Sequence, residues 1–159
     1  MILIADSSAL ITLAICDSLE CLEKLFGEVK VPQAVYEEVT HDAKPEAKKL
    51  RGFLIGKVIP VDKKDFPIEM EFLGSGEIEA MILYEKLNAD WLLIDDERAK
   101  RKAKSKSINT IGSMGVLVIA KEKKIINEIK PLIEKIKNSN IYLSNELIQR
   151  ILISVGETV

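Results

Sequence analysis

The sequence predicts an α/β fold built on a parallel sheet, and three observations predict it. The apolar runs Met1-Ile2-Leu3-Ile4-Ala5 and Trp91-Leu92-Leu93-Ile94 are continuous rather than alternating, as in strands buried on both faces. Segments of helical periodicity separate the runs, the order expected of βαβ units. Each run stops on a carboxylate, at Asp6 and at the Asp95-Asp96 pair. Parallel strands ending in this way would meet at one crevice at their C-terminal edges, where open α/β sheets bind ligands.

Residues 2–5 read as the first strand, with Ser7 or Ser8 capping a helix that begins at Ala9. Asp17-Ser18-Leu19-Glu20 has the spacing of a capping box and opens a second helix, which stops at Gly27. Val29-Lys30-Val31 is a short strand, and Pro32 suits the start of a helix over 33–40. A helix over 45–55 ends at Gly56 and leads into a strand over 57–61, and residues 62–73 read as a polar surface crossing. Ser75 is placed to cap a helix from Gly76 to Leu87, with Ile78, Ala80, Met81, Leu83, Tyr84 and Leu87 on a broad buried face. After the strand at 91–94 come a basic helix over 96–107, a strand over 108–111 and an apolar helix over 113–121. Helices over 125–138 and 144–155 complete the chain. In the last, Ile148, Ile151, Leu152 and Val155 share a face that suits either the core or a second subunit. No linker, repeat or low-complexity segment divides the chain, and residues 1–159 read as a single domain.

With 159 residues, 47% apolar and 30% charged, the composition is that of an ordinary globular protein able to bury a core. The net charge of −2 and a pI near 5.6 give no global attraction to nucleic acid, so any such contact needs a local basic patch. Cys16 and Cys21 lie in apolar surroundings with no second pair, which excludes a zinc signature and reads as reduced core thiols. The N-terminal apolar run is too short to span a membrane and lacks a basic leader, so the expectation is a cytoplasmic protein without membrane contact.

The acidic residues carry the functional argument, each against a plainer role. Asp6 suits a helix cap, but Ser7 and Ser8 can cap in its place and leave it free to face the crevice. Glu38 is three residues beyond Val35 and shares its inward face, whereas Glu37 turns away. Glu77 suits either the favourable field of a helix start or the crevice, and Glu79 reads as a surface or ion-paired residue. Asp95 reads as a ligand, and Asp96 as the cap of the next helix or an outer ligand. Like charges gathered at one edge repel unless a cation sits among them. Oxygen donors without a Cys/His set suit Mg²⁺ or Mn²⁺, giving Asp6, Glu77, Asp95 and Asp96 as metal residues and adding Glu38 for catalysis. His41, the sole histidine, reads as a surface residue and supports no Ser/His/Asp triad.

From Arg98 to Lys106 six of nine residues are basic, either a solvated helix face or a track for phosphates beside the acids. Arg98, Arg101 and Lys102 are the candidate phosphate contacts, the guanidinium fork matching phosphate oxygens. Gly74-Ser75-Gly76 lacks the pattern of a dinucleotide or ATP loop and reads as a tight entry that aims Glu77.

These motifs in order also resemble a family. Asp6-Ser7-Ser8, the stretch Val31-Pro32-Gln33-Ala34-Val35-Tyr36-Glu37-Glu38-Val39, and Gly76-Glu77-Ile78-Glu79-Ala80 look like a PIN domain. So do Leu92-Leu93-Ile94-Asp95-Asp96 with its basic helix and Ile111-Gly112-Ser113-Met114-Gly115-Val116-Leu117. The chain is similar in particular to a prokaryotic branch of predicted nucleic-acid-binding proteins related to VapC-type toxins. The resemblance implies a Rossmann-like, three-layer α/β/α sandwich and Mg²⁺- or Mn²⁺-dependent cleavage of RNA. It implies an acidic quartet of Asp6, Glu38, Glu77 and Asp95, with Ser7 and Ser113 lining the site. It also implies the toxin of a toxin–antitoxin pair, with an antitoxin protein as partner and a homodimeric state. The chain departs from the pattern in having Glu77 where many such toxins have Asp, and Leu93 where many have Thr. A nucleic-acid-binding module with a degenerate metal site is the alternative. A phosphatase-like reading fails because Ser8 stands where an Asp-x-Asp pair would need its second acid.

Overall fold

The computed structural model describes residues 1–65 and 72–158. In chain order the elements are β1 (Ile2–Ala5), α1 (Ser7–Ile15), α2 (Glu20–Phe26), β2 (Glu28–Pro32), α3 (Gln33–Val39), α4 (Ala47–Phe53) and β3 (Val58–Ile59). A short 3-10 turn (Lys63–Asp65) precedes α5 (Ser75–Lys86), β4 (Trp91–Leu93), α6 (Glu97–Ser105) and β5 (Thr110–Ile111). Then follow α7 (Ser113–Glu122), α8 (Lys130–Lys137) and α9 (Asn145–Ser154). The five strands are all parallel and run in the order β3-β2-β1-β4-β5. The chain therefore winds outward from β1 to β3 and returns to the other side of β1 at β4. The strand order reverses between β1 and β4, where an open α/β sheet leaves a crevice at its C-terminal edge.

The strands are buried on both sides, and successive residues feed different layers. Leu3, Ala5 and Leu93 join one apolar cluster with residues of α1, α2, α7, α8 and α9. Ile4, Leu92 and Ile94 join the other, with α5 and α6. Leu3, Ile4, Leu92 and Leu93 are wholly buried, each contributing about 1.5–3 kcal/mol of transfer free energy. The result is a three-layer α/β/α sandwich. Ile148, Ile151 and Leu152 of α9 are buried in the first cluster, so the inner part of that apolar stripe packs within the chain. No described helix is long and apolar enough to cross a membrane.

Several local expectations are corrected. Asp17-Ser18-Leu19-Glu20 makes no capping box: Leu19 is the N-cap of α2 and the helix start has no side-chain cap. Asp17 instead takes a left-handed conformation (φ 54°) and pairs with Lys49 of α4 and Lys135 of α8. Helix α1 starts at Ser7 rather than Ala9 and has no side-chain cap. Helix α5 begins at Ser75 with Gly74 as its N-cap, so Ser75 does not cap it. The expected strands over 57–61 and 108–111 shrink to Val58–Ile59 and Thr110–Ile111, the residues in register with β2 and β4, with the Lys57 and Asn109 carbonyls accepting one flanking bond each from Val31 and Leu92. The expected helix over 125–138 forms only at Lys130–Lys137. Most of the expected crossing at 62–73 lies outside the described residues.

Candidate active site

Asp6 follows β1 directly, and its backbone N–H donates to the Leu93 carbonyl of β4 at 2.9 Å. That bond locks it into the junction where the winding reverses. Its side chain does not cap α1 and is 4% exposed. Burial foremost, with the repulsion of Glu77, Glu38 and Asp96 and against the lowering effect of the Ser7 N–H, raises the Asp6 carboxyl to about 7. A cleft of about 660 Å³ opens here, with Asp6, Ser7, Glu38, Glu77 and Asp96 among its lining residues.

Glu38 comes to the cleft on α3, where buried Val35 and Val39 fix the helix rotation. It is exposed rather than inward-facing, and its Oε2 accepts the Ser7 hydroxyl at 2.6 Å. Gly76 lets α5 approach this pair. A Cβ there would stand 3.3 Å from Glu38 Oε2, 3.3 Å from Val35 Cγ2 and 3.7 Å from Asp6 Oδ1. Glu77 lines the cleft, and its Oε2 accepts the Gly74 N–H at 3.0 Å, closing the start of α5. Asp96 also lines the cleft while capping α6, its Oδ1 accepting the Ala99 N–H at 2.8 Å.

Asp95, expected in the acidic quartet, is not among the residues lining this cleft. It accepts both the Ser113 N–H and the Ser113 hydroxyl, each at 2.7 Å, and so serves the start of α7. Asp95, Ser113 and Lys100 line a second, larger groove of about 1030 Å³, with Ile11, Met114 and Tyr142 among its apolar walls. Consecutive residues of an extended segment point to opposite sides, which sends Asp95 to this groove and Asp96 to the cleft. Ser8 borders both.

The three candidate phosphate contacts are not among the residues lining the acidic cleft. Ala99 and Ala103 bury one side of α6, while Arg98 and Arg101 are exposed and Lys102 is half-buried. Arg98 donates to the Phe72 carbonyl at 3.0 Å. His41 is exposed, and Cys16 and Cys21 are buried and unbridged.

Glu79 is a further correction. Expected at the surface or in an ion pair, it is 7% exposed and accepts the Ala34 N–H of α3 at 3.3 Å. The available signal was the apolar run around it, Ile78 and then Ala80-Met81-Ile82-Leu83, which leaves little room for a solvent-facing position. Gly76, expected only to shape a tight entry that aims Glu77, also gives α5 room against Val35 and Glu38.

Among the described residues no three of His, Cys, Asp or Glu converge closely enough to hold a metal ion. The donor chemistry nevertheless fits a hard cation, because the five acids lining the cleft, among them Glu37, which was expected to turn away, offer oxygen alone. No curated protein matches the chain. The sequence model of a family described as a PIN domain matches residues 2–157. That match spans nearly the whole chain, which belongs to the PIN-domain family of nuclease-type modules.

Proposed function

We propose that this protein is a metal-dependent endoribonuclease that hydrolyses RNA phosphodiester bonds at the Asp6 cleft. The observation that carries the reading is a buried aspartate facing three further carboxylates at the reversal point of a parallel sheet. Asp6, Glu38, Glu77 and Asp96 would hold Mg²⁺ or Mn²⁺. The bound ion supplies polarisation of a phosphate oxygen and a water of lowered pKa. Asp6 presents a carboxylate that the cation's field keeps ionised despite its burial. The Ser7 hydroxyl fixes Glu38 at the mouth of the cleft. Arg98, Arg101 and Lys102 attract the RNA backbone, which the acids alone would repel. Asp95 holds the start of α7 through the Ser113 N–H and hydroxyl.

The resemblance to VapC-type toxins extends the proposal to the toxin of a toxin–antitoxin pair, cytoplasmic and homodimeric, with an antitoxin protein as partner. Expression in cells would then arrest growth, and Asp6→Asn would relieve the arrest. The primary test is cleavage of RNA by the purified protein with Mg²⁺ or Mn²⁺. Activity should disappear on chelation, and cleavage that survives chelation unchanged would remove the reading.

A specific observation favours a second reading, a nucleic-acid-binding module with a degenerate site. Glu77 and Asp96 each already satisfy a helix start, and no three donors converge among the described residues. Such a module would bind RNA without cleaving it and would take up no Mn²⁺ in a titration.

A further inference from the structure

We propose that Glu79 positions Glu38, by anchoring the first turn of α3 to α5 and so setting where Glu38 stands against Asp6. The inference rests on the nuclease reading of the cleft, and it names a residue that touches neither substrate nor metal.

Helix α3 has seven residues and starts at Pro32, which has no side-chain acceptor to offer. The first N–H groups of a helix have no partner within it. Glu79 supplies one from α5, its Oε1 accepting the Ala34 N–H at 3.3 Å. Ala34 and Glu38 are four residues apart on α3, so they lie on the same face one turn from each other, and both line the cleft. The anchor and the carboxylate it serves therefore share one edge of a short helix.

Buried Val35 and Val39 set the rotation of α3 and the Ser7 hydroxyl holds the Glu38 carboxylate, but neither supplies an acceptor for the first turn of the helix. Helix α3 packs against α5, with Gly76 close to Val35 and Glu38. Glu77 and Glu79 are two residues apart on α5, so they point in nearly opposite directions: Glu77 to the cleft, Glu79 into the α3 interface. A carboxyl group that is 7% exposed is costly to bury, and an apolar side chain would fill the same space without that cost. What the carboxyl adds is an acceptor at a defined point, and that point fixes the register of α3 against α5.

The test compares wild type, Glu79→Gln and Glu79→Met by amide hydrogen exchange in metal-free buffer and by calorimetric titration with Mn²⁺. Gln keeps an acceptor at the same reach, so Ala34 stays protected and Mn²⁺ affinity stays within about twofold of wild type. Met keeps the volume and loses the acceptor, so Ala34 exchanges faster and Mn²⁺ affinity falls by about tenfold or more. A folded Glu79→Met protein with wild-type affinity and Ala34 protection overturns the inference, as does a Gln variant as impaired as Met. If Glu79→Met fails to fold, the wild type still decides: an Ala34 amide exchanging as fast as that of Gln33 overturns the anchor. Wild-type protein that takes up no Mn²⁺ sinks the nuclease reading instead, and Ala34 protection then decides the anchor separately.

Discussion

Asp6 bears the largest electrostatic cost of any described carboxylate, because burial and three acidic neighbours act on it together. Replacing it by Asn keeps the shape and removes the charge a cation needs. RNA cleavage is therefore expected to fall by at least about a hundredfold in Asp6→Asn, measured by gel assay at saturating Mn²⁺. The same burial gives a pH signature without metal. Folded Asp6 titrates near 7 and an unfolded aspartate near 3.9, so between these values the folded state holds the extra proton. Its stabilising contribution is complete below about pH 4 and is lost as pH rises through about 7. Thermal unfolding in metal-free buffer should thus shift downward from pH 5 to pH 8, and Asp6→Asn should flatten that slope. Gly76 offers a separate probe. In Gly76→Ala the new Cβ presses on Glu38 and Val35, while the gain in helix propensity offsets the strain to within about 1 kcal/mol. Cleavage should fall by up to about a hundredfold as Glu38 shifts, with the unfolding midpoint nearly unchanged.

Helix starts are where this fold spends its acids. Asp96 caps α6, Glu77 closes α5, Asp95 holds α7 and Glu79 anchors α3. Asp96→Ala removes a cap and should cost about 1 kcal/mol, whereas Asp96→Asn retains an acceptor and should cost less. Denaturant unfolding of the two variants separates capping from any effect on cleavage. Glu157 does similar work from the end of the chain. Its carboxylate accepts the N–H groups of Ile129 and Lys130 at the start of α8 and pairs with Lys121 of α7. Burial raises this carboxyl, but the Lys121 pairing and the two backbone donors outweigh it and leave it lowered. Glu157→Ala should therefore lower the unfolding midpoint by several degrees, for a loss of about 2 kcal/mol. That difference should narrow in acid, as Glu157 becomes protonated in the folded wild type.

Charge at the scale of the whole molecule is segregated. Acids line the cleft at the reversal of strand order, and cations cover the exposed side of α6. With a net charge of −2 the overall field gives no attraction to nucleic acid, so the proposed binding of RNA would rest on that local patch. Changing Arg98, Arg101 and Lys102 together to Gln should weaken RNA binding and reduce the slope of log affinity against log salt by about 2. Filter binding across a salt series measures it, and an unchanged slope would assign the phosphate track elsewhere.

Much of this arrangement was legible in the chain itself. Continuous apolar runs identified β1 and β4 and the terminal acids marked their C-terminal edge, because burial on both faces and strand direction are local consequences of residue order. The place of Asp6 at a strand end and of Glu77 at a helix start follows from the same local logic, whereas Glu38 proved exposed rather than on the inward face its spacing from Val35 suggests. Which of two adjacent aspartates enters the cleft was decided only in three dimensions, since Ser113, eighteen residues beyond Asp95, draws that carboxylate to α7. The buried place of Glu79 was equally hidden, because its partner Ala34 lies forty-five residues away along the chain. Side chains near in sequence announce their helix or strand, but the donors that claim a carboxylate are chosen by packing between distant elements.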